Sequence, residues 1–292
     1  MPETGTLEAA DKTFAARRYA EALELYRPLA ERGNVEALAQ VARCLSIAGK
    51  LDEGKAWLER ARTLATQNEP LGWSRYLGVR GIYERESGDK ARAKATFEEM
   101  LVYCTEKELH RRAVDAVHHI ALVVPPDEQP AWALKGIAAA EKMGDESWLA
   151  VLWNNLGATY EDLKQHDRML EAYLKAREYH YKKNGDAQKL IADWAVGHAY
   201  RLTGKLKEAR DLLERTLEWA ERSTTLEWAG LCRKDLGQTL VELGDKEAGA
   251  DHLKNARRAL TEAGFEKSWP ECLKEIDEIL KTSSTPPRRP GP

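Results

Sequence analysis

Ile47-Ala-Gly-Lys-Leu-Asp-Glu-Gly-Lys-Ala-Trp-Leu-Glu-Arg-Ala61 sets a pattern that returns over Glu86 to Met100, Leu202 to Thr216 and Glu242 to Ala256 of the 292-residue chain. Each copy has Gly in third place (Gly49, Gly88, Gly204, Gly244) and a small residue five positions on (Gly54, Ala93, Ala209, Gly249). A bulky apolar residue follows four beyond that (Leu58, Phe97, Leu213, Leu253). The third-place glycines lie 39, 116 and 40 residues apart, which is one period, nearly three, and one. A recurring unit of this size, written in helical periodicity, means stacked pairs of helices, because one pair cannot bury its own apolar face.

Extending the spacing gives seven helical pairs. Gly157, Gly197 and Gly237 fall 40 residues apart in successive first helices. A missing side chain there lets the partner helix approach closely, at a helix cost of about 1 kcal/mol relative to Ala. Gly204 and Gly244 sit where a first helix must stop, since Gly tolerates the left-handed backbone of a helix end. Leu206, Ala209, Leu212, Leu213, Thr216 and Leu217 recur at three and four, so the second helix is amphipathic. Trp148, Trp228 and Trp269, near the starts of first helices, are expected to brace successive pairs. The fourth pair departs from the pattern with Val123-Val-Pro-Pro-Asp-Glu-Gln-Pro130. Its prolines, the Pro-rich turn 125–130, predict a stiff and wider connection, a local change of curvature, and a place for a hinge or a protruding contact. Ser268-Trp-Pro-Glu271 reads as the capped start of a last helix, about 269–281, that covers the end of the stack. The Pro/Arg tail 282–292 cannot bury a core and is expected to be disordered.

The fullest first helix, Trp153-Asn-Asn-Leu-Gly-Ala-Thr-Tyr160, is followed after a turn by Met169, Tyr173 and Ala176. This series of Trp, Leu-Gly and Tyr, then small or apolar, aromatic and Ala, resembles the tetratricopeptide repeat over roughly residues 7 to 262. The long period is similar to the branch seen in kinesin light chain, Leu-Gly-Asn adaptors and bacterial peptide-sensing regulators. The expected fold is therefore all-α, a right-handed α-solenoid of about seven such hairpins plus a C-terminal capping helix, forming a single superhelical domain over 1–281.

Composition narrows the function. With 45 basic and 48 acidic residues and a net charge of −3, no global field draws in nucleic acid. No apolar run is long enough for a membrane span, and Met1 to Glu21 does not read as a signal peptide, so a cytoplasmic protein without membrane insertion is expected. Cys44, Cys104, Cys232 and Cys272 are far apart and read as reduced packing thiols rather than zinc ligands or disulfides. There is no phosphate loop, nucleophile elbow or HExxH pair, so no enzyme and no cofactor is expected. His118 and His119 point about 100° apart on a helix and would need ligands from elsewhere to hold a metal.

The resemblance places recognition on the first helices, at Val151, Asn154, Asn155, Ala158 and Glu161 of the fifth pair. A carboxamide offers a donor and an acceptor together and can hold a peptide unit of an extended chain, which singles out Asn155. The same face projected along the array collects Gln40, Arg43, Arg75, Arg85, His118, His119, Trp194, His198, Arg201, Lys234, Asp235 and Gln238. This wall has a basic bias, diluted by Glu36, Asp115, Glu161 and Asp162. It lacks the full Lys, Asn and Arg clamp of chaperone-binding relatives, so an acidic chaperone C-terminus is not the expected ligand. The expected function is a non-catalytic scaffold or adaptor that binds a protein or peptide segment in the concave groove. The alternative is a peptide-responsive sensor whose curvature changes on binding, with an all-α enzyme a distant third. The terminal repeats leave homo-oligomerisation open.

Overall fold

The computed structural model describes residues 6–183, 185–223 and 226–283. Among these residues the chain is all-α, with sixteen helices and no strand, and it separates into two compact units, 1–144 and 145–292. The first unit holds four hairpins: α1 (Leu7–Ala15) with α2 (Tyr19–Glu31), α3 (Val35–Ile47) with α4 (Leu51–Leu64), α5 (Pro70–Glu86) with α6 (Lys90–Glu106), and α7 (His110–Ala121) with α8 (Gln129–Met143). The second holds three: α9 (Glu146–Asp162) with α10 (His166–Lys183), α11 (Asp186–Leu202) with α12 (Leu206–Arg222), and α13 (Leu226–Leu243) with α14 (Lys246–Glu262). The one-turn α15 (Phe265–Ser268) and then α16 (Pro270–Ser283) complete it. Within each unit the hairpins pack in sequence, as stacked repeats imply.

The close approach inside a hairpin follows one rule. A Cβ built on Gly157 would stand 2.5 Å from the Tyr173 ring, on Gly197 2.7 Å from Leu213, on Gly237 2.8 Å from Leu253, and on Gly81 2.4 Å from Phe97. In each case the intruding side chain lies sixteen residues further on, so Gly and its bulky partner form a register mark repeated along the chain. The turn glycines also behave as their positions require: Gly49, Gly88, Gly204 and Gly244 have φ of +74°, +85°, +74° and +97°. The fifth hairpin has no glycine there, and Lys164 takes the left-handed backbone instead, at φ +56°. Asp89, Asp145 and Asp245 then open the following helices by accepting a backbone N–H with their side chains.

Seven residues, 122–128, join α7 to α8, where three join α5 to α6. The connection does not simply protrude, because Val123 and Val124 are buried with Ile82, Phe97 and Ile120, which anchors its first half in the core. At the far end Cys272, Leu273 and Ile276 of α16 pack on Leu253, Ala256 and Leu260 of α14. Ser268, expected to open that last helix, instead ends α15, with its hydroxyl donating to the Gly264 carbonyl at 3.3 Å. Trp228 bridges two hydrophobic clusters of the second unit as a brace should, whereas Trp269 is largely exposed and leans on Phe265. Thr282 and Ser283 belong to α16, and the rest of the Pro/Arg tail, 284–292, lies outside the described residues. All four cysteines are free and buried. Burial pushes the thiols of Cys44, Cys104 and Cys272 up to about 11. Among the described residues no helix is long and apolar enough to cross a membrane.

Candidate partner-binding face

In the second unit the first helices α9, α11 and α13 are tied together through one imidazole. His198 of α11 meets Asp235 of α13 through Nδ1 at 2.8 Å and Glu161 of α9 through Nε2 at 3.0 Å. Asp235 also accepts from Trp194 Nε1 at 2.8 Å and Arg201 Nη2 at 3.4 Å, and Arg201 reaches on to Glu242 at 3.1 Å. The other oxygen of Glu161 accepts from the Tyr173 hydroxyl at 3.1 Å. Lys234 contacts Glu275 of α16 at 2.9 Å, and Gln238 donates to the same carboxylate at 2.7 Å.

Both nitrogens of His198 face carboxylates, which only the imidazolium can satisfy as a double donor. Burial alone would lower its pKa, but the charge and hydrogen bond of Asp235, with Glu161 behind it, raise it to about 9. For Asp235 burial pushes upward, yet His198, Lys234 and Arg201 hold the carboxyl far below the usual range. These are groups fixed in their charged forms by one another.

This pairing overturns the basic wall that helical projection suggests. The cations lie deep, with side-chain exposures of 12% for His198, 10% for Arg201 and 7% for Lys234. Asp235 lies deeper still, at 1%, but the other carboxylates that answer them stand further out, at 37% for Glu161, 41% for Glu242 and 48% for Glu275. Solvent on this face therefore meets carboxylates first. Trp194 is likewise committed, its N–H given to Asp235 and its ring 5.8 Å from His198 and 5.5 Å from Trp228. Beside this network α9 carries the half-buried Asn154 and Asn155 between the exposed Val151 and Ala158, so two carboxamides and two small or apolar groups border the acidic rim.

The first unit gathers its expected residues into two groups. Gln40 is buried and donates to the Tyr26 hydroxyl at 3.0 Å, which in turn donates to Asp11. Arg75 joins Asp11 at 2.8 Å to Glu36 at 3.3 Å, and Arg112 closes on Glu36 at 2.7 Å. One ion chain thus runs across α1, α5, α3 and α7. In the other group Arg43 and Arg85 converge on Glu86 at 3.3 and 3.7 Å. Near them, His119 stacks on Phe97 at 4.8 Å and His118 lies 5.0 Å from His119. His119 is buried rather than offered to a ligand; burial, then His118, Arg85 and Arg43, keeps it neutral by holding its pKa well below the usual 6.5. His118 is lowered too, by burial first. Asp11, Tyr26 and Arg112 escape a reading of the sequence, although Glu36, Arg75 and Arg112 stand 39 and 37 residues apart, close to the period. Among the described residues no group of three His, Cys, Asp or Glu side chains is placed to hold a metal ion.

Residues 150–178 and 188–262 match family models described as tetratricopeptide repeat. No curated protein matches the chain. Among solved structures, a signal transduction ATPase with numerous domains and a tetratricopeptide repeat sensor, from Pyrococcus horikoshii, superposes with a TM-score of 0.72 at 16% identity over 93% of this chain. This chain spans only 44% of that protein's length. The apo form of the quorum sensor NprR from B. thuringiensis superposes with a TM-score of 0.66 at 12% identity, covering 97% of this chain and 82% of its own. A putative kinesin light chain with nearly identical TPR-like repeats, from Podosopora anserina, gives 0.55 at 15% identity, covering 65% and 95%. At these identities the likeness is one of fold.

Proposed function

We propose that this chain, whose residues 150–178 and 188–262 are tetratricopeptide repeats, is a non-catalytic scaffold that holds a segment of a partner protein on the first-helix face of its second unit. The observation that carries this reading is the row Val151, Asn154, Asn155 and Ala158 on α9, open enough to be reached and bordered by a rim of carboxylates. The carboxamides of Asn154 and Asn155 bond the backbone of an extended segment, and basic side chains of that segment meet Glu161, Glu242 and Glu275. Because His198, Arg201 and Lys234 already orient those carboxylates, little side-chain freedom is lost on binding.

A sensor of a small peptide is the second reading. His198 spans three successive first helices, so a ligand competing for Glu161 loosens one of its two tethers and favours a different spacing of α9 and α11. The test common to both is affinity capture from native lysate with wild type and the Asn154→Ala, Asn155→Ala double variant, retained proteins being identified by mass spectrometry. Loss of a partner from a variant of unchanged helicity supports the face. Retention of every partner by the variant refutes it.

A further inference from the structure

The second unit has a cleft of about 630 Å³ formed by α10, α11 and α12, none of whose lining residues belongs to the His198 network. Its walls carry Arg177 and Tyr181 of α10, Asp193 of α11, and Leu212, Arg215, Trp219 and Arg222 of α12. Arg215, Trp219 and Arg222 follow each other at four and three residues, so they share one stripe of the helix, with the two guanidinium groups rooted about 10 Å apart along its axis.

The charge in this cleft is not cancelled from within. Asp193 is buried, and both its oxygens are occupied: Oδ1 by Arg177 and Oδ2 by the Tyr181 hydroxyl at 2.6 Å. Arg177 also lies 4.9 Å from the Tyr181 ring, which fixes that wall. On α12 itself, Arg210 is paired with Asp211 at 2.8 Å, and Glu221 is taken by Arg233 of α13. Arg215 and Arg222 are exposed and form no ion pair within the described residues. Arg177, Arg201, Arg210, Arg233 and Arg257 of this unit each meet a carboxylate, whereas Arg215 and Arg222 flank a half-buried Trp219 over a Leu212 floor and so form a cationic, partly apolar cleft.

We propose that this cleft is a second docking site, separate from the α9 face, for an acidic peptide segment that carries two carboxylates about one decade of ångströms apart with apolar residues between them. A segment in the polyproline II conformation advances about 3.1 Å per residue with three residues per turn, so carboxylates at i and i+3 lie on one side about 9 Å apart and reach Arg215 and Arg222 together. The intervening apolar side chain lies on Trp219 and Leu212. Guanidinium groups suit this role because each can bond a carboxylate through two parallel N–H donors.

The test uses the full chain and a fluorescein-labelled peptide, Gly-Glu-Leu-Leu-Glu-Gly, read by fluorescence anisotropy at low salt, against the same peptide with Gln in place of both Glu. Saturable binding of the acidic peptide, weakened at least about tenfold by Arg215→Glu with Arg222→Glu and by the Gln peptide, is the expected result. Trp219→Ala weakens it as well, while the Asn154→Ala, Asn155→Ala variant binds as wild type does, so failure of the α9 face and failure of this cleft are distinguishable. Circular dichroism establishes that the variants are folded. No binding of the acidic peptide to wild type, equal binding by the charge-reversed variant, or equal binding of the Gln peptide overturns the proposal. So does a single-stranded oligonucleotide that displaces the peptide and binds more tightly, which would make the cleft a nucleic-acid site.

Discussion

Replacing Asp235 by Asn should remove the charge on which the first-helix network of the second unit depends. Asp235 is 1% exposed and serves His198, Trp194 and Arg201 at once. An amide still accepts from the Trp194 N–H, but it leaves the His198 and Arg201 cations facing a neutral group. Breaking a buried pair from one side costs about 3–5 kcal/mol. The imidazole gives a separate measure: a rise from the ordinary 6.5 to about 9 corresponds to about 3 kcal/mol of preference for the charged form. Since a domain is held by only about 5–15 kcal/mol, most of the unit's margin is at stake. Denaturant unfolding followed by tryptophan emission measures the loss, and NMR titration of His198 should show its pKa falling well below that of wild type. A destabilisation under about 1 kcal/mol together with an unmoved His198 titration would refute the assigned network.

The His198 and His119 sites should respond to pH in opposite senses. His198 has its folded pKa above the unfolded one, so its contribution is complete below 6.5 and is lost as pH rises through about 9. His119 has its folded pKa below 6.5, so its contribution is present above 6.5 and is lost as pH falls beneath that value. Hydrogen exchange of α11 and α7 amides, corrected for intrinsic rates, separates the two trends. Gly237→Ala should destabilise by about 1–3 kcal/mol despite the better helix former, because the new Cβ meets the Gly249 carbonyl oxygen at 2.9 Å, a backbone atom. Gly204→Ala meets nothing within 4 Å and should cost only the roughly 1–2 kcal/mol of a left-handed backbone; thermal melts rank the pair. The four buried thiols should react with a thiol reagent at neutral pH only after denaturant is added.

The fold was legible because its determinants are local and periodic. Gly157, Gly197 and Gly237 mark the crossings, and each is confirmed by a side chain sixteen residues on; Gly49, Gly88, Gly204 and Gly244 mark the turns. The fifth hairpin shows the limit of such a mark, since Lys164 adopts the same backbone without announcing it in the sequence. Val123 and Val124 show another limit: next to two prolines they look like part of a loop, but the cavity they fill is lined by α5, α6 and α7. The charged face was legible in membership and not in sign. Helical projection correctly places Arg201, His198 and Lys234 on first helices, but whether a cation faces solvent depends on an acid about one period away, such as Asp235 or Glu275. That pairing also explains why Gln40 and Gln238 are buried hydrogen-bonding links rather than open polar groups.

The central claim, that the α9 face of the second unit receives a partner, is tested most directly by site-specific photocrosslinking. A benzoylphenylalanine placed at Ala158, which is exposed on that face, and another at the exposed Glu171 on α10, are irradiated in native lysate and adducts are identified by mass spectrometry. A protein captured from Ala158 and not from Glu171 is the predicted result; capture from Glu171 alone, or the same proteins from both positions, would contradict it.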